Sequence, residues 1–438
     1  MFKNNFSLGF FLLANLVVYV DLLDLLLRIY FRHVQSRSPL GGRSIPTSVP
    51  LDVGDFTPYQ TRLHLRPYAL VVSVYNVAKE LDTFLEAMRP HFSRLWVIDD
   101  ASTDDTWERL QRAGVSCVRG DRNRNKPGAI KHLLDRLPAE IETVVVLDPD
   151  ARILDQTGKD RADLEQVLFE FQRSGMAALC PRVGVRPDGW LSRIQAFEYW
   201  LSCSIGRRGL ADRSITSGVA VYRRDALARV LNGHSLSIYA EDLKNALMLI
   251  GHGERIYYDG RLVIETEGKH GWHELFSQRV GWFFGFMKVY VEHFRDVLRC
   301  ADRRPFFIYQ YLIYMGVFGL LFHPLKLLSL AVLTASAVNG LDNLLGLGWV
   351  PDVSATNPLY FLWAYLKYTT FAVLALILGV ETNERKRLLP AALVYFIYAL
   401  MHLIPVTVGY LNWFSLRWWG RRLYTDHYQK EVSLGKPS

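Results

Sequence analysis

The sequence predicts a Rossmann-like α/β domain set between membrane-spanning helices, and three observations predict it. From residue 68 onward, apolar strand-like runs alternate with helical stretches, the pattern that builds a parallel sheet. Each of the main runs ends on polar residues: Asn76, Asp99-Asp100, then Asp148-Pro149-Asp150. The apolar content is also uneven, crowding into roughly the first 30 and last 130 residues while the charges crowd between.

In chain order, residues 8–31, "LGFFLLANLVVYVDLLDLLLRIYF", are long enough to cross a bilayer, which takes about 20 apolar residues. The stretch is too long for a signal peptide and has no small-residue cleavage site. Asp21 and Asp24 lie one helical turn apart and are costly in lipid, so they either pair within the protein or sit at the interface. Arg28, Arg32, Arg37 and Arg43 follow the helix and only Lys3 precedes it. By the positive-inside rule, the chain beyond this helix is cytoplasmic, at an inner or plasma membrane. The expected layout is an N-terminal transmembrane helix at 1–34 and a Pro/Gly/Ser-containing linker at 35–66. A cytoplasmic domain with interface helices occupies 67–300, then a transmembrane region 301–415 and a basic tail 416–438.

Within the domain, "YALVVSVYN", "RLWVIDD", "VSCVRG" and "ETVVVLD" read as strands. "VAKELDTFLEAMRPH", "TDDTWERLQRAG" and "KPGAIKHLLDRL" read as the helices between them. Ligands of such sheets lie at the carboxyl ends of the strands, where the polar residues cluster. Residues 191–210 suit either an amphipathic helix on the membrane surface or a core-facing one. Three apolar blocks close the chain: 306–338 (interrupted at His323-Pro324), 358–380 and 388–411. The first is either one kinked span or an interfacial helix followed by a span. Basic stretches at 381–387 and after 416 cannot both be inside with one span between them, which leaves the number of crossings open.

The net charge of +8 and pI near 9.2 come without a basic helix interleaved with aromatics or a nucleic-acid module, so no nucleic acid is expected. A basic balance also suits anionic lipid and phosphate-bearing substrates. Cys117, Cys180, Cys203 and Cys300 are scattered without a CxxC pair, against a zinc finger or a disulfide framework. Asn5-Phe6-Ser7 fits a glycosylation sequon that a match this short produces by chance.

Several stretches carry chemistry. Two oxygen donors two residues apart, Asp148 and Asp150 in "LDPD", can share a hard divalent cation. The other reading is an acidic exposed turn. Asp99-Asp100 can accept a hydrogen bond from a uracil N–H, whereas Ser102 or Thr103 can simply cap the next helix. Lys126 and Gly128 precede a helix, where ammonium and backbone N–H groups meet phosphate. Glu241 and Asp242 open another helix, as dipole partners or as a general base for an acceptor hydroxyl. Gln278, Arg279 and Trp282 in "QRVGW" offer an indole face for a sugar ring and polar groups for oxygens. In "HGWHEL", His270 and His273 suit a cleft border or a helix start better than a metal site.

The ordered set "SVYN", "IDDASTDD", "KPGA", "DPD", "TSGVAVYRRDAL", "AED" and "QRVGW" resembles the membrane-embedded family 2 glycosyltransferases, the group of cellulose, chitin, hyaluronan and poly-N-acetylglucosamine synthases. The likeness covers about residues 68–300. It implies a GT-A (Rossmann-like) glycosyltransferase domain plus an α-helical transmembrane bundle. The implied reaction is inverting, metal-dependent transfer from a UDP-sugar donor to a growing β-linked glycan acceptor, processive and coupled to export. Partners would be membrane lipid and either accessory subunits or a homo-oligomer.

Residue by residue, the resemblance implies that Asp100 binds uracil beside Tyr75 and Asn76, and that Lys126 approaches the nucleotide. Asp148 would contact ribose or phosphate, and Asp150, with Asp148, would hold Mg2+ or Mn2+. Asp242 would be the catalytic base with Glu241 beside it, and Gln278 and Trp282 would line the acceptor site. Two departures stand out. The family's "TED" is Ala240-Glu241-Asp242 here, and its "QxxRW" lacks the arginine before the tryptophan that is expected to contact diphosphate. Arg279, two residues from the vacant position, is the candidate replacement, although on a helix it points to another side. The altered motif gives weight to transfer of one sugar to a lipid acceptor, and an inactive membrane subunit is the alternative outside enzymes.

Overall fold

The computed structural model describes residues 6–36, 65–155, 161–208, 210, 214–299, 308–351, 353–379 and 382–426. Linker positions 37–64, Arg37 and Arg43 among them, lie outside the described residues, as do Asn5 of the sequon, Cys300 and the tail beyond 426. The chain divides into two compact units: residues 1–31 with 302–408, and residues 32–301 with 409–438.

The second unit is built on an eight-stranded sheet ordered β3-β2-β1-β4-β7-β6-β8-β5. Its strands are β1 (Tyr68–Val74), β2 (Leu95–Asp99), β3 (Ser116–Arg119), β4 (Thr143–Leu147), β5 (Arg152–Leu154), β6 (Ala178–Val185), β7 (Ala220–Arg223) and β8 (Ile256–Thr266). β3, β2, β1 and β4 run parallel, as the alternation with helices requires. β7 then pairs antiparallel with β4 and β6, and β8 lies parallel to β6. The sheet is therefore mixed.

β4 is buried along its whole length and β1 at all but one residue, which explains their unbroken Val/Leu runs: strands covered on both faces have no reason to alternate. Each fully buried Val or Leu contributes roughly 1.5–3 kcal/mol. Parallel pairing leaves the carboxyl ends of β1, β2 and β4 side by side, with Val74 opposite Asp99. Between β8 and β6 the register jumps from Pro181–Asp259 to Arg182–Val263, leaving Gly260-Arg261-Leu262 unmatched. Arg261 uses that excursion to reach Glu170 and Asp259.

Of the stretch 191–210, the helix that opens it is core-facing. Helix Trp190–Trp200 buries Leu191, Ile194, Ala196, Phe197 and Trp200 and runs into a wide π-type turn, Leu201–Arg207. In "RRDAL", Arg224 caps another helix: its guanidinium donates to the carbonyls of Leu134, Leu137, Pro138 and Ile141, closing the end of the helix Asn125–Leu134 that begins beside Lys126.

In the first unit the N-terminal apolar run is two helices, Leu8–Ala14 and Leu16–Phe31, bent by 51°. The break falls at Asn15, whose side-chain amide donates to the Phe11 carbonyl at 2.8 Å. The first C-terminal block likewise splits: Tyr309–Leu321 ends before His323-Pro324, and His323–Leu345 starts there, because a proline is tolerated in a first helical turn. Among the described residues, three helices are long and apolar enough to cross a membrane, at 323–345, 354–377 and 386–419, or four if the bent pair is one span. Val17, Val18 and Leu22 pack with Leu333, Tyr360, Ala364 and Phe396 in this unit. Asp24 pairs with Arg28 one turn on, at 2.5 Å, and Asp21 hydrogen-bonds with Tyr368, so both acids of the first run are matched inside the protein.

Candidate active site

The nucleotide end of the site begins where β1 and β2 stop. The chain turns at Asn76 with φ of 53° and at Ala101 with φ of 66°, folding both loops toward each other. The Asn76 amide N–H donates to Ser102 Oγ at 2.9 Å, and Asn76 Oδ1 accepts the Thr103 N–H at 2.8 Å. Ser102 and Thr103 therefore tie the two strand ends together instead of capping the helix Thr106–Ala113, whose Thr106 N–H bonds Asp104. Tyr75 stands half-buried beside this junction.

Asp99 and Asp100 are both fully buried, and each keeps one carboxylate oxygen without a hydrogen bond among the described residues: Asp99 Oδ2, with the Arg119 guanidinium 3.6 Å away, and Asp100 Oδ1, outside any ion pair among those residues. Asp99 accepts the Ser102 N–H and lies near Arg119. Asp100 accepts the Arg124 N–H through Oδ2 at 2.8 Å, while its buried Oδ1 has no donor among the described residues. Burial pushes the Asp100 carboxyl up to about 6. A buried acceptor without its hydrogen bond costs free energy that a ligand N–H would recover.

At the end of β4, Lys126 gathers the acids. Its ammonium pairs with Asp148 Oδ1, donates to the Gly218 carbonyl at 2.8 Å and lies 3.6 Å from Glu241 Oε1. Burial would lower this lysine, but Asp148 and Glu241 outweigh it and hold it above its usual range. A Cβ at Gly218 would stand 2.6 Å from Asp148 Oδ2, so only glycine lets the loop approach the carboxylate. The same loop reaches the next acids: Thr216 Oγ1 donates to the Asp242 carbonyl at 2.9 Å. Burial raises Glu241 to about 7 despite Lys126, and raises Asp242 against the opposing pull of its own Leu243 N–H, Arg207 and Lys126.

Asp150 is held from the other side. Its Oδ2 accepts Thr266 Oγ1 at 2.6 Å and the Glu267 N–H at 3.2 Å, at the end of β8. Burial first, then Asp148, raises its carboxyl. Asp150 Oδ1 and Asp148 Oδ2 take no hydrogen bond among the described residues, leaving two hard oxygen donors on neighbouring carboxylates whose mutual repulsion a divalent cation would relieve. The donor set fits Mg2+ or Mn2+. A second, exposed group lies next to it: Asp188, Glu267 and His270 offer ligand atoms all within 4.8 Å of one another. His270 stands out in the sequence, but Asp188 sits in an unremarkable turn, and only the fold joins them.

On helix Trp272–Glu292, Gln278 and Trp282 are half-buried. Arg279 is 1% exposed: it donates to Glu198 at 2.7 Å, and its guanidinium stacks 3.9 Å from the Trp282 ring centre. It is thus engaged with Glu198 and the indole. Tyr199 completes the aromatic wall, 6.4 Å from Trp282.

Residues 69–231 match the family model described as glycosyl transferase family 2. No curated protein matches the sequence. Among solved structures, the mannosyltransferase PcManGT from Pyrobaculum calidifontis, in complex with GDP-Man and Mn2+, superposes with a TM-score of 0.54 at 17% identity, over 90% of this chain and 99% of that one. GalNAc-T7 with UDP, GalNAc and Mn2+ gives 0.34 at 11% identity, over 47% and 44% of the two chains. Glucosyl-3-phosphoglycerate synthase from Mycobacterium tuberculosis gives 0.33 at 14%, over 54% and 84%. Of these three, the first likeness alone bears on the fold. The fold is GT-A, a mixed Rossmann-like α/β domain with a C-terminal helical region that carries three apolar helices among the described residues, and the match over residues 69–231 supports a glycosyltransferase.

Proposed function

We propose that the chain transfers a sugar from a UDP-sugar, with inversion, to a hydroxyl of a growing β-linked glycan. The observation that carries the donor reading is the buried Asp100 Oδ1, an acceptor awaiting an imide N–H, at the same sheet rim as the Lys126–Asp148–Glu241 cluster. Asp150 and Asp148 would hold Mg2+ or Mn2+. When bound, the cation supplies neutralisation of the charge developing on the departing diphosphate. Lys126 adds a positive charge on the same side.

Asp242 takes the proton of the acceptor hydroxyl as the oxygen attacks the anomeric carbon. The C–O bond to UDP breaks on the opposite face, and its electron pair leaves with the nucleotide. Glu241 lies between Lys126 and Asp242 and sets the field at the base. Trp282, with Arg279 on one face, offers its edge and remaining face to the acceptor sugar. The arginines after the first apolar run support a cytoplasmic domain, and the apolar helices would carry the product outward.

A second reading, transfer of one sugar to a lipid acceptor, is favoured by Arg279, which is committed to Glu198 and so does not restore the diphosphate contact of the polymerising pattern. Incubating the extracted protein with labelled UDP-sugars and Mg2+ or Mn2+, then sizing the product, decides the matter. A polymer supports the first reading and a single-sugar lipid the second. No transfer from any UDP-sugar refutes both.

A further inference from the structure

The turn that delivers Glu241 and Asp242 is strained. Ala240 has φ of 49° and Leu236 has φ of 54°, left-handed conformations that non-glycine residues keep only when their surroundings enforce them. Two things enforce them here. Helix Trp272–Glu292 presses Gly285 against the turn so closely that a Cβ there would come within 2.9 Å of the Ala240 nitrogen. The other is the C-terminal segment, which the sequence reads as a basic tail.

That segment turns back on itself after Trp419. Asn412 is fully buried and fastens the return: its Oδ1 accepts the Leu423 and Tyr424 N–H groups, each at 2.9 Å, and its amide donates to the Tyr424 carbonyl at 2.9 Å. Ser415 donates to the Arg421 carbonyl at 2.6 Å. Thus held, the chain brings Asp426, 0% exposed, to Tyr239, whose hydroxyl donates to both carboxylate oxygens at 2.9 and 3.1 Å. Arg422 donates to Asp426 at 2.9 Å and to the Tyr239 oxygen. Its guanidinium lies 4.6 Å from the Tyr239 ring centre and 4.0 Å from that of Phe284. Tyr239 in turn meets Phe284 edge-on at 4.9 Å. A buried carboxylate is expensive unless paired and hydrogen-bonded, and here a phenol 187 positions away in sequence and an arginine one turn back satisfy it.

We propose that the segment Asn412–Asp426 is a positioning element of the transfer site: by clamping Tyr239 through Asp426 and Arg422 it fixes the Ala240 turn, and with it the direction of Glu241 and Asp242. Tyr239 and Asp426 touch no substrate and act through the two acids. The assignment of those acids as base and neighbour rests on the function proposed above; the clamp itself does not.

The test uses the full-length chain in lipid nanodiscs with Tyr239→Phe, which removes one hydroxyl, Asp426→Asn, which removes one charge, and the double variant. Amide exchange at residues 236–242 is read first, without any substrate. It should quicken about tenfold in each variant while exchange in β1 and β4 stays put. Unchanged exchange at 236–242, or a rise spread over the whole sheet, overturns the clamp whatever the substrate. Turnover is read second: kcat should fall roughly ten- to hundredfold while the donor KM stays within about twofold, because small misplacements of reacting groups are costly. The double variant should be no worse than the poorer single one, as members of one clamp are not additive. Full kcat in both single variants overturns the positioning role. If wild-type protein transfers no sugar yet exchange responds as stated, the clamp stands and the proposed function fails.

Discussion

Replacing Asp100 by Asn should make the unliganded protein more stable and abolish its grip on UDP. Asp100 is 1% exposed, and burial pushes its carboxyl from 3.8 to about 6. Because the folded value lies above the unfolded one, the wild type has this part of its stability in full below pH 3.8 and loses it as the pH rises through about 6. The loss at pH 8 is 2.2 pH units from those two values, about 3 kcal/mol. Asn does not ionise and escapes that loss, and its carbonyl still accepts the Arg124 N–H. Its NH2 then occupies the place of Oδ1, where no acceptor stands, at a cost of about 1–2 kcal/mol. The net gain is about 1–2 kcal/mol, or a rise in Tm of roughly 2–6 °C for a domain of this size. Thermal unfolding at pH 8 reads it, and at pH 4, where the wild type regains most of its loss while the unpaired NH2 keeps its cost, the order should reverse, with the variant less stable by about 1 kcal/mol. Saturating UDP with Mn2+ raises the wild-type Tm through binding; the variant should show no such rise. A variant less stable than wild type at pH 8, or one with the full UDP-dependent rise, refutes the reasoning.

Other perturbations separate the parts of the site. Gly218→Ala places a methyl 2.6 Å from Asp148 Oδ2, so it should part Asp148 from Lys126, cost about 1–3 kcal/mol in stability and lower kcat/KM at least about tenfold; wild-type kinetics would show that the loop yields freely. Asp242→Asn should leave UDP affinity within about twofold while kcat falls about 10²–10⁴-fold. Retention of wild-type turnover removes Asp242 as the base. His270→Ala should leave the Mn2+ concentration for half-maximal activity within about twofold, whereas a tenfold or larger rise would bring the Asp188–Glu267–His270 group into the metal site.

Much of the first half of the sheet is legible because its signal is local. β1, β2 and β4 are short apolar runs that stop on polar residues, and parallel pairing then lines up those stops without further information. The second half is not. β6 contains Pro181, and β8 is interrupted by the unmatched excursion at Gly260–Leu262. In the site, the acids are visible as residues, but their partners are not. Nothing near "QRVGW" announces Glu198, and the Lys126 ammonium depends on Asp148, Gly218 and Glu241, contributed by three separate parts of the chain. The exit at His323-Pro324 is read correctly as an interruption, since proline acts through local backbone chemistry. The return of the tail to Tyr239 has no local signal at all: it is a meeting of one buried carboxylate with one phenol.

Calorimetry of UDP binding, with and without Mn2+, on wild type and Asp150→Asn measures the proposed metal-bridged donor site directly. If Asp150 and Asp148 join the nucleotide through an ion, wild-type affinity rises at least about tenfold with Mn2+ and the Asp150→Asn protein shows no such gain. Equal affinity with and without Mn2+ in wild type, or an undiminished Mn2+ effect in the variant, would contradict it.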